Sequence, residues 1–282
     1  MKKVIEQQFL TGERALYHAR DLEINDTTFA DGESPLKESK NIVLNNSIFK
    51  WKYPMWYSEN IEVNDSVLLE AARSGIWYTK NITFKDSMIE APKTFRRSSN
   101  IKLFNTNMPI ADETLWNCND IYLENVSAKG NYFGMNSKNI KVKNFNLNGN
   151  YLFDGGENIE IDHAYLISKD SFWNCRHVVV KNSTIIGEYI GWNSEDVTFI
   201  NCTIDSNQGF CYMKNLKLIN CKLLNTDLAF EFVSDINAEV KSEIDSVKNP
   251  ISGVIKAKKI KELILDKTLI DPNMTRIEVK EE

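Results

Sequence analysis

The chain has 282 residues, 42% of them hydrophobic, and a net charge of −5 at neutral pH. That is ample for one folded domain, and the charges are spread too evenly to form a basic groove for nucleic acid. Met1 to Leu10 carries Lys2, Lys3, Glu6, Gln7 and Gln8 and no long apolar run, so neither a signal peptide nor a membrane span is expected.

Thr11 to Ala19 is the one N-terminal segment with helical character, with Thr11 placed as N-cap and Ala15, Leu16 and Ala19 as its apolar stripe. From Asp21 onward the chain repeats one phrase: Asn or Asp, apolar, any, apolar, any, Asn or Asp, small, any, apolar. Copies begin at Asp21, Asn41, Asn60, Asn81, Asn100, Asp120, Asn139, Asn158, His177, Asp196, Asn215 and Asp235, with spacings of 19 to 21 residues. A period near 20 marks a solenoid whose units bury their apolar faces only against neighbours.

Each unit opens on a strand. The residue after the leading Asn or Asp is Ile, Val or Leu in all twelve copies, the residue two further on is again apolar, and polar residues such as Glu62, Lys102 and Glu160 lie between. That is period two. Five residues after the leading position stands Asn or Asp in ten of twelve copies, His163 and Val240 being the exceptions. Asn and Asp tolerate left-handed backbone and bond local amides, which suits a corner repeated once per coil. Hexad-based left-handed helices need a shorter period, and leucine-rich repeats need a helical far side that these units lack.

The expectation is therefore all-β: a single-stranded right-handed parallel β-helix of about 12 coils, forming one domain over 1–282. Residues 1–20 are expected to hold a short cap helix covering the open end, 21–243 the regular coils, and 244–282 an irregular coil and tail. The five cysteines lack CxxC spacing and read as reduced core thiols of a cytoplasmic protein, although Cys202 and Cys221 share a column on successive coils. His163 and His177 replace Asn or Asp at ladder positions and read as corner substitutes. No metal constellation and no cofactor are implied.

The segments between copies carry longer phrases: T-G-E-R-A-L at 11–16, W-K-Y-P-M-W-Y-S at 51–58, K-T-F-R-R at 93–97, E-T-L-W-N-C at 113–118, K-D-S-F-W-N at 169–174 and G-E-Y-I-G-W-N-S at 187–194. In these the chain resembles an uncharacterised bacterial domain-of-unknown-function family of the pectin-lyase-like right-handed parallel β-helices. The resemblance spans nearly the whole chain and implies the fold; it supplies no activity. The N-T-D, D-D, H-G and R-I-K series of polygalacturonases is absent, and no calcium-binding Asp cluster of pectate-lyase type stands out.

The same segments hold the candidate site. Five residues before each leading position, Met55, Ile76, Phe95, Leu115, Phe153, Phe172, Phe210 and Phe230 form an inward column. The next column reads Lys37, Trp56, Trp77, Arg96, Trp116, Met135, Asp154, Trp173, Trp192, Cys211, Glu231, and takes five of the six tryptophans. Adjacent strand positions face opposite ways, so this column lies on an outer face, the third side of the coil. Trp116, Trp173 and Trp192, with Glu113, Arg97 and Tyr132, are candidate ligand-binding residues, with a saccharide stacking on the rings. Asp154 and Asp170, about 8–10 Å apart by position, fall near the spacing of inverting glycosidases, and Arg96 or Lys93 beside a carboxylate would suit lyase chemistry. The competing readings are charged residues pairing among themselves, a Trp row packed under loops, and a self-association surface giving a homo-oligomer. Two functional classes stay open: a carbohydrate-binding or carbohydrate-modifying protein, and a non-catalytic scaffold.

Overall fold

The computed structural model describes residues 3–279, and among them every element is a β-strand or a short 3-10 turn. Among the described residues no helix is long and apolar enough to cross a membrane. The fold is a parallel β-solenoid of fifteen coils, each opened by a strand, from Lys3–Glu6 to Thr275–Val279. The chain forms two compact units that divide between Asn146 and Leu147.

In the first unit the strands Lys3–Glu6, Arg20–Asn25, Lys40–Asn45, Glu59–Asn64, Lys80–Lys85, Ser99–Phe104 and Asn119–Lys129 pair in chain order, all parallel. Register keeps the apolar columns aligned: Ile42 pairs with Ile61 and Leu44 with Val63. A half-buried strand places every second side chain inside, and these four are at most 2% exposed. In the second unit Glu157–Ile167, Arg176–Lys181, Glu195–Ile200, Lys214–Leu224, Ile236–Val240, Gly253–Ala257 and Thr275–Val279 stack likewise. The inward column of Met55, Ile76, Phe95, Leu115, Phe153, Phe172, Phe210 and Phe230 is fully buried, as its period requires.

The backbone turns more often than one corner per coil. Between Asn41 and Asn60, left-handed φ angles recur at Asn41 (58°), Asn46 (46°), Tyr53 (61°) and Tyr57 (55°). Asn bears this conformation at low cost and also bonds along the stack. In the leading column, Asn41 donates its side-chain amide to Asp21, Asn60 to Asn41, Asn81 to Asn60, Asn100 to Asn81 and Asn139 to Asp120, at 2.7–3.0 Å. In the corner column Asn46 donates to Asp26, Asn105 to Asp86, Asn125 to Asn105 and Asn144 to Asn125. Each amide donates toward the preceding coil. An Asp therefore only receives.

Two expectations are corrected. There is no cap helix at 11–19: Arg14, Leu16 and His18 send their N–H groups to Glu33, Pro35 and Lys37 carbonyls of the next coil, and left-handed φ at Arg14 and His18 excludes a helix. The segment is one side of a first coil led by Lys3–Glu6. The coils number fifteen rather than about 12, one more before Asp21 and two after Asp235. The added coils escaped the repeat because Lys3 stands in register with Leu22, while Gly253 and Thr275 take the apolar position of Ile236 at spacings of 17 and 22 residues.

All five cysteines are free and buried. Four of them stand where other coils carry hydroxyl residues at the corners, and Cys211 stands in the tryptophan column; the Cys118 N–H donates to Ser137 Oγ and the Cys175 N–H to Ser194 Oγ, both at 2.9 Å. Burial pushes the Cys118 and Cys211 thiols up to about 12, which leaves them chemically quiet.

Candidate functional site

The tryptophan column lies half-buried on an outer face, as period two dictates, and its two halves are built differently. In the first unit the rings lie flat on one another. Trp56 and Trp77 stack at 5.0 Å with 7° between their planes. Arg96 continues the stack, its guanidinium 5.1 Å from the Trp77 ring and 4.4 Å from that of Trp116. Glu113 holds it there, with Arg96 Nη2 at 2.6 Å and Lys93 Nζ at 3.2 Å from the same carboxylate oxygen. Arg96 Nε is buried without a hydrogen-bond partner. Each indole N–H donates to the backbone of the following coil: Trp56 to Ser74 O, Trp77 to Lys93 O and Trp116 to Tyr132 O. Arg97 belongs to the neighbouring column, where Tyr57 and Tyr78 stack at 4.8 Å and its guanidinium lies 5.8 Å from the Tyr78 ring. The ring of Tyr132 meets Trp116 edge-on. Rings stacked this way spend their faces on each other and turn their edges outward.

In the second unit the rings open. Trp173 and Trp192 are 5.8 Å apart and tilted by 31°, and Trp192 and Tyr212 are 4.7 Å apart and tilted by 46°. Trp173 is pinned by its N–H on Tyr189 O at 2.8 Å and by the edge of Tyr151. Beside the rings runs a short amide ladder: Asn193 donates to Asn174, and Asn174 to Asp154, both at 2.9 Å. Trp173, Asn174, Trp192, Asn193 and Tyr212 line a shallow cleft of about 310 Å³. Of the residues named from sequence, Trp173 and Trp192 line it and Asp154 anchors its ladder. Asn174, Asn193 and Tyr212 were not named, although the dipeptide Trp-Asn recurs at 116–117, 173–174 and 192–193. These Asn residues have φ near 55° and read as corners, which they are.

Asp170 sits apart from the cleft lining, only 3% exposed. Burial pushes its carboxyl above the usual range; Lys169 and a hydrogen bond with Tyr151 oppose this, while Glu188 and Asp154 add to it. Lys169 is itself held by Glu188 at 2.8 Å. A carboxyl raised on folding contributes stability that is complete below its unfolded value of about 3.9 and is lost as pH rises through the folded one. We expect Asp170→Asn to melt like the parent at the acidic end of a pH series and above it at neutral pH. A variant less stable than the parent at pH 7 would show that the ionised carboxylate is needed.

A family description, Protein of unknown function (DUF3737), matches residues 3–278. The chain belongs to the DUF3737 family. Among curated protein sequences none matches it. Solved structures similar to this DUF3737 protein include a tailspike double mutant of E. coli bacteriophage HK620, at 8% identity, covering 93% of this chain and 72% of the tailspike with a TM-score of 0.59. A second HK620 tailspike mutant, in complex with pentasaccharide, gives 0.51 at the same identity and coverage. The surface adhesin PfbA of Streptococcus pneumoniae gives 0.44 at 12% identity, covering 84% of this chain and 72% of the adhesin. At 8% identity the likeness to the tailspikes is one of fold.

Proposed function

We propose that this DUF3737 protein binds a saccharide in the cleft of Trp173, Asn174, Trp192, Asn193 and Tyr212. The observation that carries the reading is the pairing of splayed aromatic rings with an adjacent amide ladder. Sugar rings offer one apolar face and a rim of hydroxyls; tilted indoles take the face, and amides that both donate and accept take the rim. The cleft volume, about 310 Å³, suits one or two sugar rings. The HK620 tailspike in complex with pentasaccharide is a fold relative, which fits a saccharide-related role in the broad sense.

The reading is binding rather than turnover. Asp170 is buried, and Arg96 is spent between two indoles. The flat stack of Trp56, Trp77, Arg96 and Trp116 favours a structural role for the first unit's half of the column. A neutral and acidic oligosaccharide panel, read by calorimetry or intrinsic fluorescence, tests the proposal. Trp192→Ala is expected to weaken binding about tenfold or more, while Trp77→Ala leaves it unchanged. A parent protein that binds no member of the panel, or a loss that follows Trp77 and not Trp192, overturns it.

A further inference from the structure

Thr275–Val279 pairs with Gly253–Ala257 on one side, and among the described residues no strand pairs with the other. Ile277 stands in register with Ile255, which is fully buried, yet Ile277 is only half-buried. In the same coil Leu269 and Met274 are each 59% exposed and Val279 is 45% exposed. The first strand is different. Lys3 takes the inward register position of Leu22, and an inward charge on an edge strand deters a further strand from adding there.

We propose that the edge strand Thr275–Val279 pairs antiparallel with the same strand of a second copy, across a two-fold axis at Ile277. The strand is self-complementary in that register. Arg276 faces Glu278 of the second copy, Glu278 faces its Arg276, and Ile277 faces Ile277. A two-fold axis normal to the sheet keeps the inward faces of both copies on one side, so the two uncovered apolar ends close on each other. Within one chain Arg276 Nε already lies 2.8 Å from a Glu278 oxygen, and Lys256 Nζ lies 3.2 Å from the other, so the pair is held ready on the outer face. Stacking the first strand of a second copy here instead would set Glu6 over Glu278 and bring Lys3 inward over Thr275. That arrangement is disfavoured by charge and leaves the two-fold pairing as the occupant.

The test is the mass of the full chain in solution. The parent is expected to be a dimer. Arg276→Glu and Glu278→Arg, each alone, place like charges opposite and are expected to weaken dimerisation about tenfold or more, and the double exchange restores it. Opposed residues of an antiparallel pair have Cα atoms about 4.5–5.5 Å apart, within disulfide reach, so Ile277→Cys is expected to give a covalent dimer with oxidised glutathione. A parent that stays monomeric with no cross-link from the cysteine variant overturns the proposal. So does a dimer that ignores both single exchanges.

Discussion

Replacing Asn125 with Leu is expected to cost about 2–5 kcal/mol of stability, read by chemical denaturation. Asn125 works in both directions along its column: its amide donates to Asn105 at 2.9 Å, and its carbonyl accepts from Asn144 at 2.9 Å. Two exposed hydrogen bonds are worth about 0.5–1.5 kcal/mol each. Leucine must also adopt φ of 55°, where a branched side chain without a local hydrogen bond costs about 1–2 kcal/mol. Two further variants separate these contributions. Asn125→Gly keeps the backbone at ease and loses only the bonds, so it should fall between Leu and parent. Asn125→Asp still accepts from Asn144 but cannot donate, and should cost least. Equal melting of all three with the parent would remove the amide column from the account of stability.

Arg96→Ala is expected to lose about 2 kcal/mol, a larger effect than a half-exposed charge on a wet face would give. The guanidinium touches an indole on each side and shares Glu113 with Lys93. Each partly desolvated cation–π contact is worth about 0.5–1 kcal/mol, and the alanine leaves a gap between two rings. The column itself suggests the rescue. Trp occupies this position in the coils on either side, so Arg96→Trp should keep most of the stability that Ala loses, with Lys93 remaining for Glu113. If Arg96→Ala melts with the parent and instead abolishes saccharide binding, the structural role is wrong.

The fold was legible because its columns are chemical. A leading Asn or Asp with apolar residues one and three positions on leaves little freedom but a stacked strand, and the twelve copies that carry it are twelve coils. The missing coils lack those marks: Lys3 replaces an apolar residue, and Gly253 and Thr275 arrive out of period. The helical reading of Thr11–Ala19 rested on an N-cap, an apolar stripe and the need to cover the first coil, and none of these reveals carbonyls waiting on the next coil. For the candidate site, the sequence placed the tryptophans on one outer column but not the tilt of their rings. That tilt follows from what each ring meets next along the stack. Trp77 meets a flat guanidinium at Arg96, while Trp192 meets the splayed ring of Tyr212. Asn174 and Asn193 were hidden by doing two things, turning the backbone and lining the cleft.

The two amide columns of the first unit break at different heights. The leading column stops between Asn100 and Asp120, where Asn125 still donates to Asn105; the corner column stops between Asn46 and Asp86, where Asn60 and Asn81 carry on. Like courses of brick with offset joints, these breaks fall at different steps, so from the coil of Asp21 to that of Asn139 no seam runs through both. Between those coils local opening, which begins where the fewest bonds cross between neighbours, meets an amide at every step. The arrangement also marks Asn60, Asn81 and Asn125, each the one donor of the two columns at its step, although Asn64 donates to Asn45 beside Asn60. An Asp is harmless in one course while the other is whole, but Asn81→Asp would leave the step from the coil of Asn60 with neither amide, and amide hydrogen exchange would first loosen there.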